Sequence, residues 1–242
     1  MKSLMKIFYI IFSVLIFLSS STLPLFAQST FSKNLGTDAV QKALSVVQTR
    51  DGGFAIAGYT DGFNPLNYGD YDGYLVKLDC NGSMMWSKIY GDTSSASTTY
   101  GDESMSCVIE TPDGGLMLAG RTNSYGAQDN DLFIVKTDPA GNSIWSKIYG
   151  TVQAENVFKI TQTRDSNYVV LGGYVAGICS SFVTNFYIEL IKINEQGDTL
   201  WARQYGPLCG GGVESVAATS DWGVIVAGDN YLLKISCDGN VQ

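Results

Sequence analysis

The chain contains no histidine, which removes the commonest general base and metal ligand, and with them His-dependent triads and the usual zinc sites. Charge is sparse as well: only 16 % of the 242 residues are Asp, Glu, Lys or Arg, and 15 cations face 23 acids, a net charge of −8. An acidic surface repels phosphate backbones, so neither nucleic acid nor an anionic membrane surface is expected as a partner. The five cysteines, at positions 80, 107, 179, 209 and 237, match no metal-binding spacing. An odd count leaves at least one thiol free. Cys179 and Cys209, in irregular segments of neighbouring repeats, are the expected disulfide, whereas Cys80 and Cys237 occupy one turn position in two repeats and are expected not to bridge each other. No long helical period of apolar residues is present.

One apolar run stands at the N-terminus. Lys2 and Lys6 precede Ile7 to Leu18, and Ser19, Ser20, Ser21 and Pro24 break the run before Ala27. That order of charged, apolar and small residues is the pattern of a secretory signal, residues 1–27, leaving 28–242 as one exported domain. A spanning helix needs about 20 uninterrupted apolar residues, and Pro24 interrupts these, so no membrane association is expected after cleavage. Loss of Lys2 and Lys6 leaves 13 cations against 23 acids, a net charge of −10. Secretion or display at the cell surface is the expected location, where disulfides persist.

What fills 28–242 is a repeat. Trp86-Ser87-Lys88-Ile89-Tyr90-Gly91, Trp145-Ser146-Lys147-Ile148-Tyr149-Gly150 and Trp201-Ala202-Arg203-Gln204-Tyr205-Gly206 end three units, and Phe31-Ser32-Lys33-Asn34-Leu35-Gly36 is a degraded fourth version. The closing glycines at 36, 91, 150 and 206 are 55, 59 and 56 residues apart. Each unit reads as four strands. The first ends in Thr and an Asp-bearing turn at Asp51, Asp113, Asp165 or Asp221; the second ends in small residues; the third is Tyr74 to Leu78, Phe133 to Thr137, Glu189 to Ile193 or Tyr231 to Ile235; the fourth carries the tryptophan. Glycine after Asp51 and Asp113 supplies the positive φ of a tight hairpin, and β-branched and aromatic residues favour strand.

The expected fold is therefore all-β and β-propeller-like, with about four four-stranded blades at residues 36–90, 91–149, 150–205, and 206–242 combined with 30–35. The N-terminal strand would close the ring by pairing into the last blade; a fragment of a larger propeller is the alternative. Trp86, Trp145 and Trp201 are expected to pack between blades. Lys77, Lys136, Lys192 and Lys234 alternate with apolar residues and read as the polar face of a strand.

The Asp79/Gly82/Trp86, Asp138/Gly141/Trp145 and Asn194/Gly197/Trp201 spacing is similar to the tryptophan-docking hairpin of quinoprotein-type propellers. The fuller pattern, T-x-D-G-G, A-G-x-T, L-x-K-x-D-x-x-G and W-x-K-x-Y-G, resembles repeats of large secreted Bacteroidetes-type proteins. Members of that family often carry a sorting domain for type IX secretion, which is not visible here, and some bear names such as endoglucanase. The resemblance implies a secreted repeat architecture and no particular activity.

Function on such a scaffold is expected where the repeat is broken, in the connections between second and third strands. These run from Thr60 to Gly73, Thr122 to Asp131 and Val175 to Asn185, and shrink to Asp229-Asn230 in the last unit. Phe63, Tyr68, Tyr71, Tyr125 and Phe182 lie in the long ones, and aromatic rings beside Asp and Asn suit a glycan. Asp70, Asp72, Asp129 and Asp131 form Asp-x-Asp pairs whose oxygens suit Ca²⁺, although the remaining ligands of an EF-type loop are missing; turn-forming acids that cap a strand are the simpler reading and the one preferred. The expected function is a secreted binding or interaction module for a polysaccharide or surface protein. The alternatives are a carbohydrate-active enzyme of endoglucanase type or its accessory domain, and a structural spacer. An enzyme would draw two carboxylates from Asp70, Asp72, Asp129, Asp131, Asp102 and Glu103, but no catalytic residue is singled out and no cofactor is expected.

Overall fold

The computed structural model describes residues 31–32, 40–61, 71–91, 101–124, 130–150, 155–180 and 183–242. The expected signal segment 1–27, Lys33 to Gly36 of the expected closing strand, and Phe63, Tyr68, Asp70, Tyr125, Asp129 and Phe182 lie outside them. The chain divides into units Met1–Ser32 and Lys33–Gln242, and all sheets belong to the second.

Four antiparallel sheets follow one another along the chain. Blade one holds β1 (Gln41–Gln48), β2 (Phe54–Thr60), β3 (Asp72–Leu78) and β4 (Met84–Tyr90); blade two holds β5 (Glu103–Glu110), β6 (Leu116–Thr122), β7 (Asp131–Thr137) and β8 (Ser143–Tyr149). Blade three holds β9 (Asn156–Gln162), β10 (Tyr168–Ser180), β11 (Val183–Ile193) and β12 (Thr199–Cys209), and blade four β13 (Val213–Ala218), β14 (Val224–Gly228) and β15 (Leu232–Ile235). In blade four Val241 makes an antiparallel bridge to Ile235, at the register where Met84 meets Leu78 and Ser143 meets Thr137. No helix occurs among the described residues. This is the four-bladed β-propeller arrangement, each blade a meander.

The core lies between blades rather than within one. Ala55, Ala57 and Leu75 of blade one pack on Val108, Leu118 and Val135 of blade two. The opposite face of blade two, Met117, Leu132 and Ile134, packs on Ile160, Val170 and Ile191 of blade three. Val169, Leu171 and Leu190 then pack on Val213, Val224 and Val226 of blade four. A sheet covered on both faces needs apolar residues at consecutive positions, which is why Leu116 to Ala119 and Leu132 to Val135 lack the usual alternation.

The fourth strand fastens each blade to the next. The rings of Trp86, Trp145 and Trp201 lie over Gly141, Gly197 and Gly239, where a Cβ would come within 2.6, 2.9 and 3.2 Å of the indole. Trp145 Nε1 donates to Glu195 O (3.1 Å) and Trp201 Nε1 to Cys237 O (2.8 Å), while the Tyr90 and Tyr205 hydroxyls donate to Gly141 O and Gly239 O at 2.7 and 2.8 Å. These glycines also have positive φ, 77°, 75° and 81°, so the position requires glycine twice over.

Two expectations are corrected. The repeated lysines are not a solvated strand face: Lys77, Lys136 and Lys192 are buried. Each runs beneath its blade's first turn to Asp51, Asp113 or Asp165, with Nζ–Oδ2 distances of 2.8, 2.8 and 2.6 Å, and Lys234 pairs likewise with Asp221 at 2.7 Å. The long aliphatic stem lines the interface and the ammonium reaches the rim. The connection from Val175 to Asn185 is not a loop either. β10 and β11 continue as an extended hairpin, Tyr174 opposite Tyr187 and Ile178 opposite Thr184, with register shifts near Ile178. A disulfide joins Cys179 on β10 to Cys209 on β12 with Cα atoms 5.7 Å apart, clasping the hairpin across β11.

Candidate functional site

Because every blade is a meander, first strands begin, second strands end and third strands begin at one end of the sheets. That end also receives the non-repeating connections. Tyr71 and Asp72 arrive there at the start of β3, and Asn130 and Asp131 at the start of β7. Asp102 and Glu103 stand at the start of β5, and Glu155 immediately before β9.

Hydrogen bonds join blade one to blade two at this end and continue within blade two. Glu103 N donates to Tyr71 O (2.6 Å), Tyr71 N to Asp102 Oδ1 (3.1 Å), and Asp102 N to Asn123 Oδ1 (2.5 Å). The Tyr71 ring meets Tyr59 edge-on, centroids 5.0 Å apart. Asp72 and Glu103 crowd Gly91, where a Cβ would stand 2.5 Å from an oxygen of each. Glu103 is buried and accepts a hydrogen bond from Thr122 Oγ1 (2.5 Å). In blade two, Asp131 fills the equivalent space against Gly150, and Glu155 N donates to Asn130 O (2.8 Å).

Blade three departs from the pattern. Glu189 pairs with Gly172, as Tyr74 pairs with Gly58 and Phe133 with Gly120, so a carboxylate replaces an aromatic ring in one blade. It is 5 % exposed, and its Oε2 meets no hydrogen-bond donor among the described residues. Burial, and then the charge of Glu155, push its carboxyl up to about 7. Tyr174 and Tyr187 stack beside it, centroids 5.1 Å apart and planes within 10°. Burial raises the Tyr174 hydroxyl, and the neighbouring Tyr187, Glu189 and Glu155 raise it further. Glu189 can therefore hold and release a proton near neutral pH.

Of the sequence-derived candidates within the described residues, Tyr71 and Asp72 share the contact between blades one and two with Asp102 and Glu103. Asp131 stands beside Gly150 in blade two, paired across the sheet with Thr122, the residue that donates to Glu103. Among the described residues no three His, Cys, Asp or Glu side chains cluster closely enough to hold a metal ion. Glu155 and Glu189 were missed as candidates. The available signal for Glu189 was its alignment with Tyr74, Phe133 and Tyr231; Glu155 occupies the place of Glu103, two residues before Val157 as Glu103 is two before Met105.

No protein-family model matches the chain, and no curated protein matches it. Among solved structures it is similar to the crystal structure of puromycin hydrolase at 13 % identity and a TM-score of 0.48, over 84 % of this chain and 30 % of that one. The chain thus spans under a third of that protein's length. Its own sheets, in meander order and packed face to face in series, define its class as a β-propeller repeat protein.

Proposed function

We propose that the chain is an exported binding module whose ligand meets the loop-bearing end of blades one to three, and that this ligand is a glycan of a polysaccharide or of a surface protein. The observation that carries the reading is the gathering, at one end, of the connections and side chains that break the repeat. Tyr71 brings an aromatic face, and Asp102, Asn123 and Asn130 bring hydroxyl partners, the combination that holds a sugar ring. The resemblance to secreted Bacteroidetes-type repeats and the N-terminal signal pattern support the extracellular setting. The experiment is retention of the protein on a panel of insoluble and soluble polysaccharides. Tyr71→Ala is expected to weaken retention about fivefold, through loss of roughly 1 kcal/mol of ring contact. Equal retention of both proteins on every glycan would sink the proposal.

A second reading rests on Glu189. A carboxyl that titrates near neutrality beside a second buried carboxylate suits a general acid, and with Glu155 as its partner the chain would cleave glycosidic bonds. Release of reducing ends from the same panel, lost in Glu189→Gln, separates the enzyme from the module.

A further inference from the structure

At its loop-bearing end the contact between blades two and three is built unlike the contact between blades one and two. Phe133 of blade two, paired with Gly120, packs on blade one, and Thr122 pairs with Asp131 beside it. In the same registers blade three has Glu189 paired with Gly172, and Tyr174 paired with Tyr187. Glu189 lies on the side of β11 that carries Ile191 and Ile193, which pack on blade two. A carboxylate and two stacked rings thus stand where the repeat puts one ring, a threonine and an aspartate.

A carboxylate that is 5 % exposed needs donors or a counter-charge. Among the described residues Oε2 meets no donor, and the nearby cations are engaged elsewhere. Lys192 pairs with Asp165 at 2.6 Å, and Arg121 of blade two donates to Asn156 Oδ1 at 3.4 Å. The charge that acts on Glu189 is that of Glu155, itself buried and of like sign. What this arrangement lacks is positive charge.

We propose that Glu189, with Glu155 and the Tyr174–Tyr187 stack, takes the ammonium group of a free amino sugar in the bound glycan, an inference that rests on the glycan-binding reading above. The acids are too few for a metal: no three His, Cys, Asp or Glu side chains cluster among the described residues, whereas a calcium ion takes about six oxygens or more. An ammonium group suits them better, with N–H donors for a carboxylate and an attraction to aromatic faces. The tyrosine rings also give the apolar face of the sugar a surface to cover. An N-acetylated sugar carries a neutral amide at the same atom and gains no ion pair with Glu189.

Titration calorimetry at physiological salt, comparing glucosamine oligosaccharides with their N-acetylated counterparts, tests this. The free-amine oligomer is expected to bind about tenfold more tightly, the worth of one charge-assisted hydrogen bond. Glu189→Gln should abolish that preference and leave the affinity for the acetylated oligomer unchanged. Glu214→Gln, which removes an exposed acid of blade four, should keep the preference, and Tyr71→Ala should weaken both oligomers equally. Equal affinity of the unaltered protein for both oligomers would overturn the amine site and leave the glycan reading standing. So would binding of neither while other glycans are retained; with no glycan retained at all, site and reading fail together. A preference that survives Glu189→Gln, or falls as far in Glu214→Gln, would refute the site by assigning the amine to another acid or to the chain's general acidity. Loss of both affinities in Glu189→Gln would refute it too, by giving Glu189 a part in the fold and not in the amine.

Discussion

Neutralising Asp113 should destabilise the protein more than removing the lysine that binds it. Lys136 is 2 % exposed and its ammonium donates to Asp113 Oδ2 (2.8 Å), Thr111 Oγ1 (2.9 Å) and Thr137 O (3.1 Å). Asp113 is 43 % exposed. Asp113→Asn preserves side-chain size and an acceptor for Gly115 N but leaves the ammonium buried without its counter-charge. Stranding a buried charge costs about 3–5 kcal/mol, reduced to about 2–3 kcal/mol here because two oxygens still accept from it. Lys136→Met leaves a carboxylate that water can reach and keeps the packed stem, so its cost is within about 1 kcal/mol of zero. Acid should expose the same pair. Burial raises the Asp113 carboxyl, but the bonds from Lys136, Thr111 and Gly115 outweigh it and hold it at about 2, below its usual 3.8. A depressed carboxyl stabilises the fold above pH 3.8 and loses that contribution as pH falls towards 2. The shift corresponds to about 2.4 kcal/mol, and partial exposure of Asp113 reduces this to about 1 kcal/mol. Urea unfolding followed by tryptophan fluorescence, at pH 7 and at pH 3, measures both effects. Equal or greater destabilisation by Lys136→Met would refute the reasoning, as would an unchanged acid response in that variant.

Glu189 should make stability fall with rising pH. Its carboxyl is raised from 4.5 to about 7, so the folded state gains a proton relative to the unfolded one, and up to about 3 kcal/mol is lost between pH 4.5 and 7. Glu189→Gln should flatten that part of the profile, read as urea midpoints at pH 5 and 8. Cys179→Ser with Cys209→Ser opens a loop of sequence separation 30 and should lower stability by about 3–4 kcal/mol on a chain-entropy basis, with a lower melting temperature in calorimetry. Trp222 has φ of +68°, at the turn position where Gly52 and Gly114 have +81° and +83°, and its ring is exposed. Trp222→Gly should raise stability by about 1 kcal/mol by relieving that backbone, and a lower urea midpoint would show that the ring makes contacts worth more than the strain.

The blades were legible in the sequence because a strand's covalent pattern is local. Four recurrences of a threonine and an Asp turn and of an apolar strand closing on small residues, with three tryptophan motifs, mark strand order within a few residues. That each tryptophan packs against a neighbouring blade was legible in its recurrence, but not that Trp86 lies over Gly141 of the next blade, because that partner is set by a distant segment. What one strand cannot announce is what covers it. Lys77 reads as a polar face because alternation records which side a residue faces, not whether Asp51, 26 residues earlier, closes over that side. Glu189 gained its character only when blade two was packed against it and water was removed, for desolvation depends on neighbours far along the chain. Residue periodicity determined the strands and their order, while tertiary packing decided burial and charge environment, because those depend on surfaces that exist only after distant segments meet.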